Sequence, residues 1–346
     1  MTTNAAGHDS PPLDRESFAR MAEPYRPALK LHCYRMLGSL HEAEDAVQDT
    51  FVRAWTGIEG FEGRATFKNW LFRIATNTCL NALASRARRR RFLPEQLGRA
   101  TATIPSGEQE LGVLWLEPYP DSEIEGIADA APGPEARYEM RESIRLAFVA
   151  AVQQLPPRQR AVLMLVDVMG WPAQEAATLL ETSLASVNSA LQRAREKMRS
   201  LYGSLERQTG AVADRAQRDL IDRYLRAWES KDLDGFVALL KDDAKFAMPP
   251  RREWYEGRDS IRRFFASVWG SYDGFRLVLT GANGEPAFGL YSYSKAEGLW
   301  KAHSLQLLSI RDGRIAALTA FLQPLSPRLF EAFRLPQTLP ASNAPD

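Results

Sequence analysis

The 346-residue chain has few of the residues that build disulfide frameworks or metal sites, with only two cysteines and four histidines. The histidines have no cluster of cysteines or carboxylates beside them, which argues against a structural metal site, and no cofactor is predicted. Cys33 and Cys79 lie in separate apolar helical stretches, so we expect them to pack as small hydrophobic side chains rather than to pair.

Long hydrophobic runs are also missing. The sequence contains no apolar stretch of about 18 residues and no charged-then-apolar N-terminal signal. We therefore expect neither a membrane span nor secretion, and predict a cytoplasmic protein. With 45% hydrophobic and 25% charged residues, a chain of this length can form more than one domain, each with its own core.

Charge of both signs is present but strongly segregated, although the net charge is only +1. Residues 86–91 contain five arginines, whereas residues 101–135 contain eight acidic residues and no Lys or Arg. A local basic run is typical of a nucleic-acid-binding face. The acidic stretch, which also holds prolines and glycines and has weak periodicity, predicts a linker over residues 93–137 that is disordered on composition alone.

Helical periodicity fills the first segment, residues 14–92. In HEAEDAVQDTFVRAW, small and apolar residues recur on one face of the predicted helix, opposite a face of acidic and amide residues. That polar face is either an ordinary solvated surface or a docking surface for a basic partner. Its candidate docking residues are Asp45, Gln48, Asp49 and Arg53.

A second helix in this segment, FKNWLFRIATNTCLNAL, carries arginine and asparagine in a row at i+4 spacing that leads into the arginine run. Amide side chains can hydrogen-bond base edges, guanidinium groups neutralise phosphates, and aromatic rings stack on unpaired bases. The combination favours nucleic-acid contact, with core packing as the alternative for the aromatic side chains. The candidate contacts are Arg64, Trp70, Arg73, Asn77, Asn81, Arg88 and Arg89.

The second helical segment, residues 138–206, has the spacing of a helix-turn-helix. Gly170-Trp171-Pro172 ends one helix, a short helix follows over 173–180, and a longer helix is predicted over 184–198. Small residues allow the helices to cross closely, and the last helix presents polar and basic groups suited to a major groove. An ordinary helical hairpin is the alternative. The candidate DNA contacts are Ser186, Asn188, Ser189, Gln192, Arg193 and Arg195.

The third segment, residues 214–330, begins with helices and continues as strands. Asn283-Gly284 and Asp312-Gly313 separate apolar runs, and such pairs favour tight hairpin turns. The predicted helices lie near 214–230, 233–241 and 258–270, and the predicted strands at 274–281, 286–294, 299–310 and 314–322.

The helical motifs resemble those of bacterial RNA polymerase sigma factors of the extracytoplasmic-function (ECF) class. YRMLGSLHEAEDAVQDTFVRAW and WLFRIATNTCLNAL resemble sigma region 2, over residues 18–91. LPPRQRAVLMLVDVMGWPAQEAATLL and SVNSALQRAR resemble region 4, over residues 140–200. The resemblance implies that the partners are core RNA polymerase, through its clamp helices and flap, and promoter DNA.

The resemblance also assigns a role to each candidate set. The acidic face of region 2 would dock on polymerase, the row on its other helix would capture single-stranded bases of the −10 element, and region 4 would read the −35 element as duplex. The linker would run through polymerase toward its active centre. Three positions depart from the family pattern: Asn81 stands where Asp is common, Asn188 and Ala190 replace Lys and Arg, and Glu181 replaces a turn Gly. The first two changes predict altered promoter preference and weaker phosphate contact.

Residues 214–325 resemble the SnoaL-like, ketosteroid-isomerase-type cone fold, chiefly in LIDRYLRAWESKDLDGFVALLKDDAKFAMPP and YEGRDSIRRFFASVW. Such folds enclose a pocket, and an enzyme of this type would move a proton with an Asp or His such as Asp242, Asp243 or His303. Fusion of this fold to two DNA-binding modules favours regulation over catalysis. The candidate pocket residues are Tyr224, Trp228, Trp254, Trp269, His303 and Phe321.

The predicted architecture is multidomain, with two all-α domains (14–92 and 138–206), a linker (93–137) and a C-terminal α+β cone (214–330). The leading hypothesis is a non-enzymatic, ECF-type sigma factor that a fused SnoaL-like domain modulates, with an anti-sigma protein or a small-molecule ligand as a further partner. Two alternatives are a regulator that binds duplex DNA without polymerase, and a SnoaL-like enzyme whose helical half localises it to DNA.

Overall fold

The structure is a computed structural model and describes residues 14–61, 63, 66–85, 90–101, 113–124, 127, 140, 142–202 and 213–341. Arg64, Arg88 and Arg89, three of the candidate DNA contacts, lie outside these residues. Within the part of the chain that the structure describes, no helix is long and apolar enough to cross a membrane, and no group of metal-ligating side chains is found.

The first domain is a helical bundle in which two helices, α1 and α3, begin at side-chain caps. Asp14 accepts a hydrogen bond from the backbone of Ser17, and Ser39 from that of Glu42, so each satisfies an otherwise unpaired N–H of the helix that follows. Gly38, in the left-handed conformation (φ 72°), ends the second helix. The helices are α1 (Arg15–Ala22), α2 (Arg26–Leu37), α3 (Leu40–Gly57) and α4 (Phe67–Ser85).

Part of the acidic linker is folded, so the expectation of disorder is wrong for those residues. Strand β1 (Arg91–Phe92) pairs in parallel with β2 (Leu114–Trp115). Leu116 and Tyr119 are fully buried, and the Glu117 carboxylate accepts hydrogen bonds from Ser39 Oγ and the Leu40 backbone at the start of α3. A carboxylate at a helix N-terminus is stabilising, and composition alone does not show that a tertiary partner exists.

The second domain contains the predicted helix-turn-helix. Its helices are α5 (Leu146–Gln153), α6 (Pro157–Leu163), which continues as a π-helical turn over Met164–Val168, α7 (Ala173–Leu179) and α8 (Leu184–Tyr202). Ala176 and Ala177 are buried where the helices cross, and Val187 and Leu191 fix α8 against them.

The third domain wraps helices against a curved sheet. The helices are α9 (Ala213–Glu229), α10 (Leu233–Ala238), α11 (Arg258–Val268) and α12 (Ser326–Ala332). The strands are β3 (Leu240–Ala247), β4 (Trp254–Glu256), β5 (Phe275–Ala282), β6 (Glu285–Ser294), β7 (Leu299–Arg311), β8 (Arg314–Phe321) and β9 (Thr338–Leu339). They form a sheet of order β4-β3-β8-β7-β6-β5, antiparallel except for the parallel β3–β8 pair, with β9 added beside β7.

Two hydrophobic clusters fill the described residues. One lies inside the cone of the third domain, between its helices and the inner face of the sheet. The other runs without interruption through both helical domains and the linker, and on to residues of β5–β8 and α12. The three domains therefore share buried apolar surface in this arrangement.

Candidate nucleic-acid and partner interfaces

The acidic face of α3 is exposed along its length. Ala43, Val47 and Ala54 are fully buried on the opposite face, as the apolar stripe of the sequence predicts. The candidate docking residues Asp45, Gln48, Asp49 and Arg53 are all exposed. This geometry leaves the face available to a partner.

The candidate DNA row on α4 is only partly open. Asn81 is exposed and Asn77 half-buried. Trp70 is also half-buried, with its ring 5.0 Å from that of Phe61 and 5.7 Å from that of Phe67. The contacts of the Trp70 ring are therefore those of core packing. Because the side chain is only half-buried, part of the indole remains accessible to an unpaired base.

On α8, the six candidate contacts with duplex DNA are all exposed. Arg195 makes a bidentate ion pair with Asp167, at 2.9 and 2.6 Å. Its guanidinium is therefore already bound to a carboxylate within the domain. Ser186 contributes to the start of the helix, where its N–H donates to Ser183 Oγ at 3.1 Å.

The candidate DNA row on α4 contacts α7 and the turn that precedes α8. Arg73 of the α4 row donates to Glu181 in the helix-turn-helix turn at 2.8 Å, and Asn69 donates to Glu175 at 3.1 Å. Glu181 occupies a left-handed position (φ 50°), where glycine is least strained. Glu181 therefore stands where the family commonly has a turn glycine, and its carboxylate forms the ion pair with Arg73 between the two domains.

Side chains of the second domain cap the C-terminus of α2. The Arg160 guanidinium donates to the carbonyl oxygens of Met36, Gln153 and Leu155, and Gln153 Nε2 donates to Arg35 O at 3.0 Å. Burial, with a smaller contribution from Arg90, lowers the pKa of Arg160 to about 9. The last carbonyls of a helix have no partner within the helix, and a cation is favourable there.

The β5–β6 hairpin of the third domain inserts its turn between the helical domains. Asn283 is fully buried. Its amide nitrogen donates to Tyr34 Oη of α2 at 3.1 Å and to Ile144 O, just before α5, at 2.6 Å. Its amide oxygen accepts from Tyr119 N of the linker at 2.8 Å. One side chain thus ties the hairpin to both helical domains and the linker.

Glu285 follows that turn and is also buried. Its carboxylate lies 3.8 Å from Arg145, near α5, and faces Glu142, Arg311 and Ser309. Burial raises its pKa to about 7, against the opposing attraction of Arg145. The contact between this hairpin and the second domain therefore includes a carboxyl that titrates near neutral pH.

We expect this carboxyl to make stability fall as pH rises. The folded state holds the Glu285 proton up to about pH 7, whereas the reference pKa is 4.5, so the free energy of unfolding decreases between those values. Urea unfolding at pH 5 and pH 7.5 should show this loss as about 2–2.5 kcal/mol. Glu285→Gln should remove most of it and exposed Glu297→Gln should not; an unchanged pH dependence in Glu285→Gln would contradict the assignment.

The candidate pocket residues of the cone are not all brought together. Tyr224, Trp228 and Trp269 pack ring on ring in the interior, with centroids 6.0 and 5.0 Å apart. Trp254 instead donates to Gly98 O of the linker at 3.0 Å, and Phe321 belongs to the cluster shared with the helical domains.

The candidate proton-transfer residues lie in different surroundings. His303 Nε2 is 3.0 Å from Tyr272 Oη, and burial, with a smaller effect of Arg251, lowers the histidine pKa to about 4. Asp242 is exposed and pairs with Arg258 at 2.9 Å, and Asp243 is exposed on the same strand.

Sequence reasoning missed the residues that join the domains. Asn283 was recognised only as a hairpin turn residue. The Arg35 guanidinium of α2 donates to Ser143 O at 3.2 Å and to Ser143 Oγ at 2.6 Å, just before α5. Arg160 and Arg35 lie on helices, where the sequence gives no reason to single them out because arginine is usually a surface residue. A usable signal existed for Arg35, whose neighbours on both sides in α2 are apolar or aromatic.

Comparison with known proteins identifies all three domains. Family models of Sigma-70 region 2, Sigma-70 region 4 and the SnoaL-like domain match residues 21–89, 145–198 and 221–318. The ECF RNA polymerase sigma factor SigG of Mycobacterium tuberculosis is 43% identical over 329 residues, which are 94% of this chain and 85% of SigG. SigJ of the same organism, also an ECF sigma factor, is 26% identical over 87% of this chain and 90% of SigJ.

The fold has a solved counterpart. The crystal structure of M. tuberculosis SigJ aligns with a TM-score of 0.57 and 23% identity, over 92% of this chain and 99% of that one. The predicted class of fold, helical sigma domains followed by a SnoaL-like domain, is confirmed. The chain belongs to the ECF sigma factors, a family of non-enzymatic transcription initiation factors, and carries a C-terminal SnoaL-like domain.

Proposed function

We propose that this sigma factor directs core polymerase to its promoters and opens the −10 element, and that its SnoaL-like domain restrains it in a closed arrangement. The contact between α4 and the turn of the helix-turn-helix supports this most directly. Arg73 of the −10 row pairs with Glu181 at 2.8 Å, so the Glu181 carboxylate competes with DNA for this guanidinium and holds regions 2 and 4 side by side.

The length of a promoter makes opening necessary. The −35 and −10 elements are about 25 base pairs apart, which at about 3.4 Å per base pair is about 85 Å. Helix α8 has 19 residues and is about 28 Å long, and its preceding turn touches α4. Both elements therefore cannot be bound at once in this arrangement, and regions 2 and 4 must separate.

The SnoaL-like domain opposes that separation. Its Asn283 donates hydrogen bonds to Tyr34 of α2 and to Ile144, two residues before α5, and its Glu285 lies beside Arg145. These contacts shift the population toward the closed form. To open it, the free energy gained on binding polymerase and DNA would have to exceed the free energy of these contacts. Inhibition is therefore the proposed direction of control.

On polymerase, the exposed face of α3 would dock on the clamp helices, and region 4 would reach the flap. The −10 strand would lie along α4, on Trp70, Arg73, Asn77 and Asn81, with Arg64, Arg88 and Arg89 outside the described residues. Helix α8 would read the −35 duplex.

Binding of an anti-sigma protein stays a prediction. Since the chain belongs to the sigma family, the hypothesis of a regulator independent of polymerase is not carried forward.

Asn77→Ala with Asn81→Ala should impair promoter opening without loss of polymerase binding. These amides would bind unpaired bases, at about 1–3 kcal/mol for a good contact, so we expect at least a 10-fold lower opening rate. Permanganate reactivity of −10 thymines measures opening, and fluorescence anisotropy with core polymerase measures docking. Gln217→Ala, another half-buried amide but on α9, is the control. Lost polymerase binding in the double variant would refute the assignment.

A further inference from the structure

A cleft of about 580 Å³ lies between the linker, α5 and the outer face of the SnoaL-like sheet. It is separate from the cone interior and from the candidate DNA-binding faces. The turn over Pro94–Gln96 and the linker-facing side of α5 form one wall, and β3, β7 and β8 form the other. Its volume is in the range of small-molecule sites.

Two unpaired polar atoms line the wall formed by the linker and α5. Oε2 of Glu95 and Nε2 of Gln154 are shielded from solvent and have no hydrogen-bond partner. Burial raises the pKa of the Glu95 carboxyl. A buried polar group without a partner costs about 1–3 kcal/mol, so a ligand that reaches this wall would gain by forming a hydrogen bond with each of these two groups.

The opposite wall is basic. Lys241, Lys245 and Arg311 line it, with Asp243 as the acidic group on the same wall. Lys241 is held by Asp312 at 2.6 Å. Lys245 lies over the Trp254 ring at 5.5 Å and faces Glu95 across the cleft, and Arg311 also faces Glu285. An anion in the cleft would meet Lys245 and Arg311 beside these groups. Each wall also carries small or aliphatic side chains, such as Ala150 on α5 and Ala317 on β8.

We propose that this cleft binds a small amphipathic organic anion that also carries a hydrogen-bond donor. Its carboxylate or sulfonate would bind Lys245 and Arg311, its donor would bind Glu95, and its apolar body would lie against α5. An acceptor on the ligand would take the free N–H of Gln154. Because the two walls belong to different domains, the ligand would strengthen the docking of the SnoaL-like domain; this consequence, unlike binding itself, rests on the proposed function.

The test is a fluorescence titration of the full chain with 8-anilinonaphthalene-1-sulfonate, which combines a sulfonate, an N–H donor and apolar rings. We expect saturable binding of one equivalent. Lys245→Gln with Arg311→Gln should weaken it at least 10-fold, and Ala147→Trp, which places a ring in the cleft from an exposed position, should abolish it.

The control is Lys295→Gln with Arg262→Gln, which removes the same charge at exposed positions outside the cleft and should leave the affinity unchanged. Circular dichroism would establish that every variant is folded. Equal affinity in all variants, or binding that does not saturate, would overturn the proposal. Since polymerase and DNA are not used, such a failure would leave the proposed sigma function standing.

Discussion

Replacing Asn283 with alanine is expected to weaken the docking of the β5–β6 hairpin on the helical domains by about 100-fold. The substitution leaves Tyr119 N and Ile144 O buried without the partners they now have. At about 1–3 kcal/mol for each unsatisfied group, the loss is about 3 kcal/mol. Within residues 113–124, hydrogen exchange should accelerate most at Tyr119, whose N–H donates to the hairpin, and less at Leu116 and Glu117, whose amides donate to Phe92 O and Gly38 O.

The chain offers a matched control for this variant. Asp312 also occupies a left-handed position, with φ of 53° against 57° for Asn283, but it lies in the exposed β7–β8 turn. Asp312→Ala carries the same backbone cost without loosening the interface, and should leave the exchange of residues 113–124 unchanged. Equal acceleration in the two variants would mean that backbone strain, rather than the lost hydrogen bonds, produces the effect.

Arg160→Ala should lower the free energy of unfolding by about 3–5 kcal/mol, because several buried acceptors would each lose a hydrogen-bond donor at about 1–3 kcal/mol. The removed guanidinium now satisfies carbonyl oxygens at the end of α2 and in the α5–α6 turn, and alanine satisfies none of them. Urea unfolding followed by circular dichroism measures the change.

Arg158→Ala provides the comparison, since Arg158 is exposed on the same helix and its removal should cost less than about 0.5 kcal/mol. Arg160→Met fills the volume without the charge, and its free energy of unfolding should lie between those of Arg160→Ala and Arg158→Ala. If Arg160→Ala and Arg158→Ala are equally stable, the capping of α2 by region 4 contributes nothing to the fold.

The strands of the SnoaL-like sheet were largely predictable, because hairpin turns mark their ends. The predicted strands at 286–294 and 314–322 match β6 (Glu285–Ser294) and β8 (Arg314–Phe321) closely. Strand β3 was missed: the apolar pattern of α10 continues through Leu239 and Leu240, and the predicted helix therefore ran on to residue 241. The helix ends at Ala238, where pairing with β8 takes over.

The candidate sites were predictable only as exposed helical faces. Periodicity identifies which side of α3 or α8 is polar, but it does not show that Arg73 on one face would meet Glu181 on the other. The position of Asn283 was equally out of reach, since a turn motif specifies local conformation and not what the turn inserts into. Contacts between distant segments depend on domain docking, which leaves no periodic signal in the sequence.

Run-off transcription on pooled genomic fragments tests the sigma function and its restraint by the SnoaL-like domain together. Bacterial core polymerase would be used alone, with this chain, and with Asn283→Ala at equal concentration. We expect discrete start sites that require the chain, and several-fold more transcript from the same sites with the variant, because the closed form is weakened. No chain-dependent start sites with either protein would contradict the sigma function. Equal or lower output from a folded Asn283→Ala would contradict restraint by the SnoaL-like domain.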